Sequence, residues 1–292
     1  MAGTPSTKTI YGGLIQTFQW LGKQYVAPTN TTLNELYNIH ALTAIGGSDR
    51  MVTKYISIGN RGHVNQVGAD GIGYFEYNPH NATDAGLYKP LPFIMRPINA
   101  DLTAGEQELY GMRVPVTLTG GAKYWAYYLR VLDLSGTTPE MQLTTVEGGV
   151  STSDPFVPNN SNLTPVPPLV PNDAIQTANG VYASVSAIVP VVLSESEVEE
   201  LINCAELLYG NADLAMITEI AIVSGIGKFV TKLDENRQPL AGLTYPEVLR
   251  STIVNFAGAN FSAAMNSGPF GMDIDLGTFD PLFGTAQIEA ET

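Results

Sequence analysis

The sequence is poor in charged residues, and this scarcity limits the kinds of protein that it can encode. Charged side chains make up 14% of the 292 residues, against about a quarter in an average soluble domain. Because a soluble monomer ordinarily covers itself with charged side chains, this chain is expected to cover part of its surface with other chains. Polar Asn, Thr and Ser side chains can also keep a surface hydrated, so the composition favours obligate assembly without requiring it.

Basic residues are the scarcer of the two charge classes, with 14 Lys and Arg against 28 Asp and Glu and a net charge of −14. An acidic chain repels nucleic acid and anionic membranes at long range. No cluster of Lys and Arg offsets this repulsion, so the sequence predicts no direct contact with nucleic acid and no membrane binding. It also has no apolar run of about 18 residues, and its start, MAGTPSTKTI, does not resemble a signal peptide.

One cysteine and three histidines leave little material for a catalytic or metal site. Cys204 alone can form neither a disulfide nor a cysteine-based metal site within one chain, and its helical position predicts burial. His40, His63 and His80 lack metal-binding spacing, and we interpret them as surface or loop histidines. The glycine-rich segment GADGIG (68–73) lacks the Lys-Ser/Thr of a P-loop, so we interpret it as a loop tip. We therefore predict no catalytic residue, no metal ligand and no cofactor.

Acidic and aromatic residues leave two alternative functions open. Paired carboxylates are the machinery of glycoside hydrolases, and the aromatic residues of KYWAYYLR (123–130) would suit a surface that binds host glycans. A strand with aromatic residues on both faces is more typical of a buried central strand, and the carboxylates fit solvated segments. The candidate carboxylates are Glu106, Glu108, Asp273, Asp275 and Asp280.

Hydrophobic periodicity predicts an α+β fold with a mixed, largely antiparallel β-sheet core, about three helices and long Gly/Pro-rich loops. Helices are predicted at 32–45, 194–209 and from Thr244 to about Ala264, each opened by a capping box. Pro115 cannot donate to a β-ladder, so its strand is predicted to be an edge or to carry a bulge. The predicted strands are 53–59, 110–118, 122–134, 140–147, 181–193 and 214–232, the last as a strand pair or one bent strand.

The chain is predicted to have three parts: an extended N-terminal arm (1–30), an α+β core (31–232) with insertions at 60–97 and 151–173, and a C-terminal helix with an acidic tail (233–292). The arm is apolar, with Lys8 and Lys23 as its charged residues. It must therefore be covered, either by its own domain or by a neighbouring subunit. Since long loops are often interfacial, the candidate interface residues come from the arm and the first insertion: Ile10, Leu14, Phe18, Trp20, His63, Tyr74 and Phe75.

Four scattered segments resemble parts of one protein family. YISIGNRGH (55–63) is similar to the opening of phage tail-fibre and baseplate attachment domains. The segments that follow it resemble, in order, the N-terminal domain of tail-collar fibre proteins and related baseplate proteins. The chain departs from this pattern by its long insertions, by the helix at 194–209 and by the lack of a fibrous shaft. The later segments are LYKPLPFIMRPINADLTAGEQELYGMRV (87–114), YASVSAIVP (182–190) and MITEIAIVSG (216–225).

The resemblance implies a non-enzymatic virion protein of a tailed bacteriophage, assembled in the cytoplasm of the bacterial host. An adaptor in the tail, baseplate or fibre attachment fits the departures from the pattern better than a fibre does. The alternatives are a neck, collar or capsid-associated protein, and a virion protein that binds or hydrolyses host glycans. The resemblance also implies other virion structural proteins as partners, packing as a homo-oligomer or ring, and no cofactor.

Overall fold

The computed structural model describes residues 6–27, 40, 43–67, 69, 71–147, 150–162, 180–266 and 268–281. This part of the chain has a β-rich mixed fold, in which the sheets are mostly antiparallel and three α-helices are present. Contacts divide the chain into a large unit (4–135 and 190–274) and a small unit (1–3, 136–189 and 275–292).

The helices and strands have the following bounds. The helices are α1 (Ile10–Trp20), α2 (Ala104–Gln107) and α3 (Glu195–Tyr209), and a short 3-10 turn spans Ala212–Leu214. The strands are β1 (Thr7–Lys8), β2 (Val52–Gly59), β3 (His63–Val67), β4 (Gly73–Tyr77), β5 (Pro90–Leu91), β6 (Ile94–Pro97), β7 (Tyr110–Thr117), β8 (Lys123–Val131), β9 (Glu140–Glu147), β10 (Val150–Pro155), β11 (Gly180–Leu193), β12 (Met216–Leu233), β13 (Pro239–Ser262) and β14 (Phe270–Pro281).

The large unit is built on an eight-stranded sheet with the order β1-β13-β12-β2-β8-β6, in which β5 pairs with β2 and β7 pairs with β8. Its longest hairpin joins β12 and β13, and their register shifts at four places. Because an extra residue in one strand bends the ladder and increases its twist, β12 is one bent strand, one of the two predicted forms. Strands β3 and β4 form a separate two-stranded sheet.

Helix α3 covers part of this sheet, and its boundaries follow the predicted signals. The capping box of Ser194 and Glu197 opens the helix, and Gly210 ends it in the left-handed conformation with φ 64°. Salt bridges join Glu197 to Arg130 of β8 and Glu200 to Arg96 of β6. Its buried face includes Cys204, as predicted, and burial raises the pKa of this thiol.

The small unit contains most of a four-stranded sheet with the order β10-β9-β11-β14. Strand β9 pairs antiparallel with both β10 and β11. The boundary between the two units falls inside β11 and β14, so the last residues of β11 and the first of β14 belong to the large unit.

Two element predictions are wrong. Residues 10–20 of the arm form a helix, because Thr9 caps it and Gly12 lets it approach the sheet. A Cβ at Gly12 would lie 2.9 Å from the carbonyl oxygen of Val254. The helix predicted from Thr244 is strand β13, because pairing with β12 along most of its length overrides a local helix-start signal.

The loop predictions need smaller corrections. The first insertion, 60–97, contains the β3–β4 hairpin and the short strands β5 and β6, while residues of the GADGIG segment connect β3 and β4. In the second insertion, 151–155 belong to β10, whereas 163–173 lie outside the described residues. The predicted acidic tail contains β14, and most of the helix predicted at 32–45 lies outside the described residues.

The remaining strand predictions are confirmed. The segments at 53–59, 140–147 and 181–193 form β2, β9 and β11. The aromatic hairpin forms as β7 and β8, with positive φ at Gly120 and Gly121 in its turn. Strand β7 pairs with β8 alone in the described part of the sheet, as expected for an edge strand that contains Pro115.

Candidate functional site

The first candidate site is an apolar surface on α1, formed by Ile10, Leu14, Trp20 and the adjoining Leu21. Their side chains are 55%, 40%, 76% and 61% exposed, respectively. The helix directs Ile15 inward, as its one buried residue. Clusters of exposed apolar side chains are typical of surfaces that bind another molecule. We call these four residues the α1 surface.

Charge does not explain why the α1 surface is exposed. The first 34 residues contain Lys8 and Lys23 and no acid, although the rest of the chain holds all 28 Asp and Glu. The Lys8 ammonium donates to the side-chain oxygen of Gln16 at 2.9 Å. The α1 surface is thus apolar and flanked by basic residues, on a chain that is otherwise strongly acidic.

The other predicted interface residues are less exposed or lie outside the description. Phe18 is half-buried, with its ring centroid 5.3 Å from that of Tyr25. His63 is half-buried on β3, and its ring centroid is 5.6 Å from that of Tyr77. Tyr74 and Phe75 belong to β4, but their side chains are outside the described residues. The helix therefore supplies three of the predicted residues as an exposed group.

The second candidate site is a buried polar cluster around Glu219 of β12, which we call the Glu219 centre. One carboxylate oxygen, Oε2, lies 2.9 Å from His80 Nε2 and accepts the backbone N–H of Tyr88 at 2.9 Å. The other, Oε1, accepts the backbone N–H groups of Lys89 at 3.0 Å and Arg61 at 3.3 Å. Glu219 is 1% exposed, yet every part of its carboxylate has a donor.

The imidazole of His80 completes the Glu219 centre. Its Nδ1 atom lies 3.2 Å from Asp84 Oδ2. Its ring is stacked between Phe256, at a centroid distance of 3.8 Å, and Tyr88, at 4.4 Å. The interpretation of His80 as a surface or loop histidine is therefore wrong with respect to the surface, because its ring is buried.

Two glycines allow the chain to pass close to the Glu219 centre. A Cβ at Gly59 would collide with the Glu219 carboxylate, and a Cβ at Gly62 would collide with the carbonyl oxygen of Thr218. Glu219 pairs with Gly59 across the β12–β2 ladder. Segments 55–63, 87–114 and 216–225, which are far apart in the sequence, therefore meet at one carboxylate.

The loop that carries His80 also holds the first turn of α1. The N–H of Ile10 donates to the carbonyl oxygen of Ala82 at 2.9 Å, and the Tyr11 hydroxyl donates to that of Thr83 at 3.5 Å. Thr9 anchors the same turn to β13, where its hydroxyl donates to the Ile253 carbonyl oxygen at 2.7 Å. The α1 surface and the Glu219 centre are thus connected through residues 80–84.

A third polar cluster surrounds Glu247 of β13. His40 Nε2 lies 3.2 Å from Glu247 Oε2. Burial raises the pKa of Glu247 to about 8, with Arg113 opposing the shift, and burial lowers the pKa of His40. Both shifts favour the neutral forms, so we interpret this contact as one between two uncharged groups near pH 7. His40 itself lies within the predicted 32–45 helix, whose other residues are mostly outside the description.

The pocket beside Glu247 is small. Its cavity volume is about 20 Å³, which is room for one water-sized group. The guanidinium of Arg113 lies 3.3 Å from the ring centroid of Trp125 and forms a salt bridge with Asp101 at 2.7 Å. Lys232 lies 3.0 Å from the same carboxylate. The charged groups of this wall are therefore paired with one another.

The structure does not support the residues on which the two alternative functions depended. Trp125 and Tyr127 are buried in β8, so they cannot meet a host glycan. Glu106 caps α2 by accepting from the N–H and hydroxyl of Thr103, and Glu108 ends that helix. Asp273 and Asp275 lie on β14, and the side chain of Asp280 is outside the described residues.

Sequence reasoning missed Glu219 and Glu247. A glutamate within an apolar strand, as in MITEIAIV, was the available signal for Glu219, because a buried carboxylate requires several donors. In the described part of the chain, no group of three or more His, Cys, Asp or Glu side chains is placed to hold a metal ion. Nor is any helix there long and apolar enough to cross a membrane.

Comparison with known proteins identifies the family. A family model described as a family of unknown function, DUF7208, matches residues 1–291. The chain belongs to this family. Searches of curated proteins and of solved structures found no match.

Proposed function

We propose that this DUF7208 protein is a structural component of a tailed bacteriophage particle, an adaptor of the tail, baseplate or fibre attachment that docks on neighbouring subunits. The observation that carries the proposal is the α1 surface, where Ile10, Trp20 and Leu21 are each more than half exposed. Burying a large apolar side chain contributes about 1.5–3 kcal/mol. A partner that covers these residues therefore gains affinity from them.

The buried polar groups support a structural role over a catalytic one. The Glu219 carboxylate is saturated by donors from its own chain, and Glu106 is occupied in capping α2. The pocket beside Glu247 has about 20 Å³, whereas ligand pockets commonly have several hundred. A sugar ring does not fit there, which disfavours glycan hydrolysis at this pocket.

The resemblance to tail-collar fibre and baseplate proteins supplies the phage context of the proposal. Three of its four segments meet at Glu219, where Gly59, Gly62 and Lys89 are in close contact with residues 218 and 219. Residues that resemble one family thus have a common structural task in this chain. This supports the resemblance as a feature of the fold.

The partners we propose are other virion structural proteins, including further copies of this chain in a homo-oligomer or ring. The acid-free segment that contains α1 faces no repulsion from an acidic neighbour, whereas most of the chain does. The net charge of −14 disfavours direct contact with nucleic acid. We place the protein in the virion, after assembly in the host cytoplasm.

Incorporation into particles tests the proposal. A phage that lacks its own copy of the gene is complemented with wild-type protein, with Leu14→Glu or with Leu243→Glu. Both leucines are exposed, at 40% and 52%, so each new carboxylate lies in water in the free protein. We expect wild type and Leu243→Glu in purified particles and at least tenfold less Leu14→Glu, measured by quantitative mass spectrometry.

Two results would count against the proposal. Absence of the wild-type protein from particles would reject a virion role, and normal incorporation of Leu14→Glu would reject docking through α1. An electron-microscopy label on the incorporated protein would then distinguish the tail, baseplate or fibre attachment from the alternative neck, collar or capsid positions.

A further inference from the structure

We infer that protonated His80 is a latch that fixes the N-terminus of α1 to the large sheet, and that loss of its proton loosens this end of the helix. The inference rests on the proposed function in one respect: it treats α1 as the docking element. The latch itself is a property of the isolated chain, and its test does not depend on the particle.

The geometry of His80 indicates its charge. A neutral imidazole has one N–H donor and one acceptor nitrogen. Both nitrogens of His80 face carboxylate oxygens, Nε2 at 2.9 Å from Glu219 and Nδ1 at 3.2 Å from Asp84. An acceptor nitrogen beside a carboxylate would be repelled, so two such contacts require a proton on each nitrogen or a proton on one of the carboxyls.

The surrounding donors exclude the second option for Glu219. Both of its oxygens already accept backbone N–H groups, from Tyr88 at 2.9 Å and from Lys89 at 3.0 Å. A hydroxyl there would point at donors rather than at an acceptor. Asp84 Oδ2 likewise accepts the N–H of Asn81 at 2.9 Å. We therefore assign the positive charge to His80, which both carboxylates share.

The remaining groups around the ring do not compete for this role. Phe256 and Tyr88 cover its two faces. Burial raises the pKa of the Tyr88 hydroxyl, as do the nearby Asp84 and Glu219 carboxylates, and burial also raises that of Tyr77. These phenols stay neutral in the range where a histidine titrates. The Lys89 ammonium lies over the ring of Tyr209 at 4.1 Å.

The latch acts on α1 through the loop between its two acidic partners. His80 and Asp84 enclose the carbonyl groups of Ala82 and Thr83, which accept from Ile10 N and the Tyr11 hydroxyl. The first N–H groups of a helix have no partner within it, so Ile10 depends on Ala82 for its hydrogen bond. When the loop moves, the first turn of α1 loses this support.

The sign of the pH effect follows from the charges. The two ion pairs exist while His80 is protonated and both carboxylates are ionised. They are lost as pH rises through the titration of His80, and also as pH falls through the titration of the carboxylates. The latch is therefore closed in an intermediate pH window and open on either side of it.

Hydrogen exchange of the isolated protein tests the latch. Protection factors are measured from pH 5.5 to pH 9 for residues 9–14 and 80–90, after correction for intrinsic exchange. We expect protection in wild type to fall about tenfold or more at the alkaline end, as for loss of a charged hydrogen bond. Residues 198–206 of α3 serve as an internal reference and should keep their protection.

Two variants make the test specific. His80→Gln removes the titrating group, so its protection in both segments should be low and independent of pH. His63→Gln changes another histidine of the same region and should behave like wild type. Wild-type protection that does not change with pH, or a His80→Gln variant with the wild-type profile, would overturn the inference.

If His80→Gln does not fold, the ring nitrogens of wild-type His80 decide the matter by nitrogen-15 NMR. The latch requires an imidazolium signature wherever residues 80–90 are protected, and a neutral tautomer in the protected state would contradict it. A failure of Leu14→Glu to disturb particle assembly would reject docking through α1 and leave this result unaffected.

Discussion

Two buried glutamates of the same hairpin, Glu219 on β12 and Glu247 on β13, have opposite surroundings. Each is at most 2% exposed, and each lies beside a histidine. Glu219 accepts three backbone N–H groups and contacts His80. Glu247 lies 3.2 Å from His40, but its Oε2 atom has no hydrogen-bond partner among the described residues. Burial alone therefore does not set the charge of a carboxyl; the supply of donors does.

The difference also separates two tasks. Glu219 joins the β2–β3 connection, the loop that carries His80 and strand β12, so its charge holds distant segments together. Glu247 is surrounded by charges that are already paired, and its raised pKa, about 8, shows that its ionised form is disfavoured. We conclude that the Glu219 centre stabilises the region that bears α1, whereas the carboxyl of Glu247 opposes stability when it is ionised.

The largest expected effect is that of Glu219→Gln. The amide places an NH₂ group against backbone donors and leaves His80 without its charged partner. Removing one member of a buried charge pair costs about 3–5 kcal/mol. We expect urea denaturation at pH 7 to show a loss of this size. The matched Glu247→Gln variant should lose less than about 1 kcal/mol under the same conditions, and equal losses would remove the distinction.

The second prediction concerns pH. Since the folded-state pKa of Glu247 is about 8 and an unfolded glutamate has about 4.3, the folded state binds the extra proton between these values. Its contribution to stability is complete below about pH 4.3 and is lost as pH rises to 8. The free energy of unfolding of Glu247→Gln should therefore exceed that of wild type by about 3 kcal/mol more at pH 8.5 than at pH 4.5.

Denaturation curves of both proteins between pH 4.5 and 8.5 provide this difference. A constant offset between wild type and Glu247→Gln across that range would show that Glu247 is ionised in the folded protein. It would also place Glu247 in the same class as Glu219.

A third prediction tests the close approach of the chain to the Glu219 centre. In Gly62→Ala the new methyl group collides with the carbonyl oxygen of Thr218, so we expect a loss of about 1–3 kcal/mol. Gly13→Ala is the control, because nothing lies within 4 Å of the added Cβ. Alanine within a helix should stabilise it by up to about 1 kcal/mol. Thermal unfolding of the two variants should shift in opposite directions.

The smallest expected effect on stability belongs to the α1 surface. Leu14→Glu places a carboxylate in water and removes little buried area, so the free energy of unfolding should change by less than about 0.5 kcal/mol. Chemical denaturation checks this value. A loss above about 2 kcal/mol would show that Leu14 is covered by its own chain, contrary to the exposure that the proposal requires.

The sequence predicted the parts of the fold that depend on local signals. Helix α3 has a capping box at one end and Gly210 at the other, and the β7–β8 hairpin has turn glycines between two aromatic or β-branched strands. Strand β13 could not be predicted in this way, because its Thr244–Glu247 signal is local while its pairing with β12 involves distant residues. Helix α1 was missed because Gly12 and Gly13 disfavour a helix until contact with β13 is considered.

The candidate sites divide along the same line. The apolar arm was recognisable from composition, since a charge-poor apolar segment must be covered. The Glu219 centre was not, because its donors come from residues 130 to 158 positions away in the chain. Only the folded sheet places Gly59, Arg61 and Lys89 beside that carboxylate.

Hydroxyl-radical footprinting of Trp20 tests the central claim most directly, because it compares the free protein with the assembled particle without any mutation. Trp20 is 76% exposed and Trp125 is 3% exposed, so the second tryptophan is an internal reference for buried rings. The account predicts that Trp20 is oxidised readily in the free chain and at least fivefold more slowly in particles, while Trp125 reacts slowly in both. Equal oxidation of Trp20 in the two states would contradict docking through α1.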